Sequence, residues 1–119
     1  MKTSELTGNA LNWAVAVCEG FTDYDPDTET MMPPRKGYGR VNFDEYSYST
    51  DWAQGGPIIE REGLQLRKRN DFHFPAPFWQ AGQWSDITLM PGPTPLIAAM
   101  RCYVASKLGD EVDVPEELE

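Results

Sequence analysis

Two kinds of side chain stand out for what they could do together: flat rings and guanidinium groups. The chain holds four tryptophans, five tyrosines and five phenylalanines. Several rings, among them Tyr38, Tyr46, Tyr48, Trp79 and Trp84, fall in polar stretches rich in proline and glycine, where an apolar core is not expected. Arg35, Arg40, Arg61, Arg67, Arg69 and Arg101 lie in or near the same stretches. Ring faces stack on heterocyclic bases, and the planar guanidinium fork binds phosphate oxygens two at a time. The candidate ligand-binding set is Arg35, Arg40, Tyr48, Trp52, Arg61, Arg67, Trp79 and Arg101. Trp52 and Trp79 are its candidate stacking platforms, and the segment 31–48 is the piece of chain that could close over a ligand. The competing reading puts the rings in the core or a dimer interface and leaves the arginines as solvated surface.

Other chemistries have weaker claims. Asp23, Asp25, Asp27 and Glu29 alternate as calcium ligands do, but the sixth and twelfth places of such a loop need Gly and Glu, and here hold Thr28 and Pro34. His73 is the only histidine, so a His-based triad or a multi-histidine zinc site is excluded. Asp51 with Glu60 or Glu62 could do acid–base work, yet a helix start explains Asp51 and surface exposure beside Arg61 explains the glutamates. Gly55-Gly56 lacks the spacing and the Lys-Ser/Thr pair of a phosphate-binding loop and reads as a helix kink. Cys18 and Cys102 sit on apolar helical faces without a neighbouring ligand residue, and read as two buried thiols. No catalytic residue, metal or cofactor is therefore assigned.

The elements that must position these groups follow from periodicity and punctuation. Leu11, Ala14, Val15 and Cys18 recur at helical spacing between Thr7, a good N-cap, and Gly20, a left-handed stop. Residues 21–48 read as a long irregular loop, since prolines at 33 and 34 and glycines at 37 and 39 break regular structure. Thr50 caps a second helix, kinked or split by Gly55-Gly56-Pro57 and ended by Gly63. Residues 64–67 alternate as a half-buried strand does, and 72–74 with 78–81 form a broken return strand around Pro75 and Pro77. Thr94 and Pro95 open the last helix, with Ile97, Met100, Val104 and Leu108 as its stripe, Leu96 and Tyr103 widening it, and Gly109 as its end. Val112 and Val114 could add a short edge strand. The expected fold class is α+β: a small, mainly antiparallel sheet flanked by about three helices, as one domain over 1–109 followed by an acidic tail at 110–119.

At 119 residues the chain suits one domain, and its formal charge of −9 argues against a general nucleic-acid binder. That charge is uneven. Residues 1–30 set Lys2 against six acids, and 108–119 hold six acids with no base. The middle carries nine basic and seven acidic side chains, so it could still hold an anion. No apolar run approaches the roughly 20 residues that span a bilayer, and the start lacks the positive charge of a secretory signal. The expected location is intracellular, with no membrane partner.

Three segments carry a resemblance. Residues 5–16 (Glu5-Leu6-Thr7-Gly8-Asn9 onward), 48–62 (Tyr48-Ser49-Thr50-Asp51-Trp52-Ala53-Gln54-Gly55-Gly56-Pro57 onward) and 93–104 (Pro93-Thr94-Pro95-Leu96 onward) resemble the NinX-type proteins of lambdoid phages and prophages. The order of elements is also similar to small phage α-β-α sandwich domains, which implies helices on both faces of the sheet. The resemblance implies an accessory protein working in the bacterial host cytoplasm, and it supplies no activity or catalytic residue.

The expected function is a non-enzymatic binder that sequesters a small anionic, nucleotide-like ligand, a sponge for a host defence messenger. The alternative is an interaction module that inhibits or redirects a host protein through its acidic loop and tail. An enzyme acting on nucleotides is the weakest reading. A homo-oligomer built on exposed rings is compatible with each.

Overall fold

A computed structural model describes residues 1–35, 37, 39–70, 78–83 and 86–119. Among them are three α-helices, α1 (Gly8–Cys18), α2 (Trp52–Glu62) and α3 (Pro95–Leu108). There are also two antiparallel three-stranded meanders, β1 (Thr22–Asp25), β2 (Thr30–Met32), β3 (Val41–Asn42) and β4 (Leu64–Arg69), β5 (Phe78–Gln83), β6 (Asp86–Gly92). The chain is thus α+β, as its patterning implied. His73, Tyr38, Trp84 and the expected strand portion at 72–74 lie outside the described residues.

Helix α3 starts as its sequence dictates. The Thr94 hydroxyl accepts the Ile97 N–H at 3.1 Å, and Pro95 fills a first-turn position that needs no donor. The expected stripe is too narrow, however. Leu96, Ala98, Ala99, Met100, Cys102, Tyr103 and Val104 are all buried, whereas Ile97 is half-buried and Leu108 is exposed. A helix buried on several sides is a middle layer. One side of α3 rests on β4, β5 and β6, against the face that carries Leu64, Ala81 and Met90. The other sides receive α1 and α2. The helices therefore lie to one side of this sheet, not on both faces as the similarity to α-β-α sandwiches implied. The opposite face presents Gln65, Arg67 and Leu89 to solvent.

Helix α2 is continuous from Trp52 to Glu62, with Pro57 inside it, so of the two expected forms, kinked or split, it is not the split one. Its N-cap is Asp51, whose carboxylate accepts the Ala53 N–H at 2.9 Å, one residue after the expected Thr50. Gly55 serves close packing: a Cβ there would sit 2.5 Å from the Tyr48 carbonyl oxygen and from Leu96 Cδ1. Buried Asn12 of α1 adds a polar tie, its side-chain oxygen accepting from the Ser49 N–H at 3.0 Å and the Ser49 hydroxyl at 2.8 Å.

Two expected irregular segments are ordered by contacts that periodicity does not reveal. The loop expected at 21–48 contains β1, β2 and β3, held on one side by the edge-on pair Tyr24–Phe43 at 5.6 Å. The tail expected at 110–119 is docked, with Leu118 packed against the core beyond Val114. The Met1 ammonium donates to the Val112 carbonyl, the Val112 N–H donates to the Met1 carbonyl, and Val112 and Val114 are buried. Beyond Val114 only Glu116, Glu117 and Glu119 are exposed. No helix among the described residues is long and apolar enough to cross a membrane.

Candidate functional site

Where α1 ends, the chain turns into the small sheet and leaves a cavity of about 360 Å³. Gly20 makes the turn, with a left-handed φ of 103° and a Cβ direction that would meet Pro34 at 3.1 Å. This close approach seats Pro33 and Pro34 as one wall. Phe21, Tyr46 and Tyr48 form the aromatic lining, and Val41 of β3 and Arg35 contribute to the rest. The rings brace one another: Phe21 meets Tyr46 edge-on at 4.8 Å, and Tyr46 stacks on Tyr48 at 5.9 Å. Tyr48 is buried, and its phenol is pushed well above the ordinary value by that burial and then by the charge of Glu19.

Glu19 lines the cavity as well, and it anchors a network. Arg61 of α2 donates to both its oxygens, Nη1 to Oε1 at 3.1 Å and Nη2 to Oε2 at 2.7 Å. The Tyr103 hydroxyl donates to Oε2 at 2.6 Å while accepting from Arg61 Nη2 at 3.1 Å. Arg61 Nε turns to Glu62 at 3.0 Å. Burial opposes the charged form of Glu19, but the hydrogen bonds from Arg61 and Tyr103 outweigh it, and the carboxyl is held below its usual range. Burial also pushes the neighbouring Cys18 thiol up to about 12, with Glu19 adding to the effect, so it stays protonated at neutral pH.

Arg35 differs from the other basic groups nearby. It is exposed at the cavity and has no ion pair or hydrogen bond among the described residues. Ring faces plus one unspent guanidinium can hold a flat ligand with an anionic group.

The eight residues proposed from sequence do not converge. Arg35 and Tyr48 share this cavity, and Arg61 reaches it through Glu19. Arg40 is used to brace the small sheet, donating to Thr30 Oγ1 at 2.8 Å and to the Asp23 and Thr30 carbonyls. Trp52 is exposed over a separate hollow of about 190 Å³ with Thr94 and Leu96. Arg67 lies in a depression on the open sheet face beside Arg69 and Gln80. Trp79 is half-buried against the core. Arg101 is tied to the Leu6 carbonyl at 2.7 Å and the Pro91 carbonyl at 2.8 Å.

Glu19, Phe21 and Tyr46 were not in that set. Glu19 carried a signal: an acid beside the C-terminal end of a helix opposes the macrodipole, and its place there calls for a cationic partner. Among the acids at 23–29, Asp25 accepts the Asp27 N–H at 2.9 Å, a turn contact, and Asp23 and Glu29 take left-handed φ values. No group of three potential ligands for a metal occurs among the described residues.

The family model described as Bacteriophage P22, NinX matches residues 2–107, and the chain belongs to that family. It is a NinX-type phage accessory protein. No curated protein matches the chain.

Proposed function

We propose that this NinX-family protein binds and sequesters a small anionic, nucleotide-like ligand in the cavity beside α1, and releases it unchanged. The observation that carries the reading is the placement of Phe21, Tyr46 and Tyr48 around about 360 Å³ of space, next to the unspent Arg35. That volume falls in the lower part of the range of about 300–1,000 Å³ typical of small-ligand sites. The base of the ligand lies against the rings, and its anionic group takes the Arg35 fork. Release without turnover is supported by the state of Glu19, the one carboxylate among the described lining residues. Glu19 is ionised and committed to Arg61 and Tyr103, so it is a poor proton donor. In a phage accessory protein, such capture withdraws a nucleotide messenger from host defence.

A thermal-shift screen against nucleotides and cyclic dinucleotides, followed by calorimetry, tests this. A stabilising ligand recovered intact after heat denaturation is expected, with Arg35→Ala weakening binding roughly tenfold, the worth of one charge-assisted contact. Absence of any shift at millimolar ligand contradicts the proposal. Capture of a host protein that is lost when Glu116, Glu117 and Glu119 are replaced by glutamine would favour the alternative, an acidic docking surface; the tail is kept because Val112, Val114 and Leu118 pack in or against the core.

A further inference from the structure

We infer that Glu19 sets the charge class of the ligand: the cavity accepts a ring bearing one anionic group and discriminates against a second. This rests on the cavity being a small-ligand site. Two guanidinium groups lie close to it, and they are in opposite states. Arg35 is unpaired among the described residues. Arg61 has both terminal nitrogens on Glu19 and its Nε on Glu62, with the Tyr103 ring centroid 5.6 Å from its central carbon. Its charge is offset by carboxylates and its fork already holds a planar anion, the geometry a phosphate would take.

The Glu19 side of the cavity is therefore unfavourable to anions for two reasons. Glu19 presents a carboxylate whose charge Arg61 balances, with Lys107 acting in the same sense, so this side offers an anion neither net positive charge nor an unfilled fork. The C-terminal end of α1 lies beside it, and the helix dipole is negative there. The cavity is uneven, with an unfilled guanidinium at Arg35 and a charge-balanced pair at Glu19. A single anionic group finds its partner at Arg35. A second finds, among the described lining residues, only a carboxylate whose cation is already taken, and the lack of a partner there sets the selectivity. The Glu19 side suits ring N–H or amino groups instead, since a carboxylate accepts hydrogen bonds.

The test measures affinities of adenosine, guanosine, cytidine and uridine mono- and diphosphates for the wild type, Glu19→Gln and Arg61→Gln by calorimetry, with circular dichroism to verify folding. The wild type should favour the monophosphate. Glu19→Gln keeps a side-chain acceptor for Tyr103 while freeing Arg61, and should raise the diphosphate-to-monophosphate affinity ratio about tenfold. Arg61→Gln changes the exposed partner, so it serves if the first variant does not fold, and it should lower that ratio. Binding with the same ratio in the folded variants and the wild type overturns this inference and leaves the cleft reading intact. No binding of any of these nucleotides to the wild type overturns the inference, and the cleft reading falls with it only if the cyclic dinucleotides also fail.

Discussion

The layer built on α3 and the segment 21–48 use the same residue types to opposite ends. In the α3 layer Arg101 is sunk among apolar groups, its charge disfavoured by burial, and its fork is spent on two backbone carbonyls. Along 21–48 the strands are only two to four residues long, and of their side chains only Met31 is buried. Arg40 is spent there too, as a brace, but Arg35 is not. The contrast shows that a ligand site needs groups the fold has not already consumed. Rings and arginines mark chemistry only where their hydrogen bonds and faces remain available.

The comparison can be broken most readily in the α3 layer. Leu11 is fully buried between α1 and its neighbours, so Leu11→Ala should cost about 3 kcal/mol in denaturant unfolding followed by tryptophan fluorescence. Arg40→Ala in the small sheet should cost less than about 1 kcal/mol, because its bonds are exposed. Equal losses would mean that the small sheet is as integral to stability as the core.

Next in size is a pair of glycines in α2. Gly55→Ala forces a methyl against the Tyr48 carbonyl and should destabilise by about 2 kcal/mol. Gly56 has open space around it, so Gly56→Ala should stabilise by about 0.5–1 kcal/mol through helix propensity. Thermal melts of the two variants in opposite directions separate a packing glycine from an idle one; two gains would show Gly55 to be as idle as Gly56.

A smaller effect separates the Glu19 network from the surface. Its folded pKa is depressed below the ordinary 4.5, so its contribution is present above that value and lost as pH falls through the lower, folded one. Melting midpoints measured between about pH 6 and pH 3 should fall more steeply for the wild type than for Glu19→Gln. Parallel curves would show the network to be energetically idle.

Much of the α-helical framework was legible because its signals are local. Thr94, Pro95 and Gly109 bracket α3, and Leu11, Ala14 and Val15 mark the buried face of α1. β4 was legible from its alternation. The small sheet was not, since Thr22–Asp25 offers a single ring, Tyr24, between two acids and is held by a ring pair and an arginine brace distant in sequence. β6 was hidden by Pro91 and Gly92, which read as turn residues yet sit on an edge strand opposite Gln80 and Trp79. The site was half legible. Residue type pointed to Arg35 and Tyr48, but side-chain direction decides that Arg101 and Arg40 are structural, and direction is a property of packing.

The central claim is that the rings beside α1 and the free guanidinium of Arg35 hold one ligand. Titration of the isotope-labelled protein with the nucleotide that emerges strongest from screening, followed by NMR, tests it most directly. Chemical-shift changes are expected to centre on Phe21, Tyr46, Tyr48 and Arg35, with a roughly tenfold weaker titration in Arg35→Ala. Changes centred on Arg67 and Gln80 of the open sheet face, with Arg35→Ala titrating like the wild type, would contradict it.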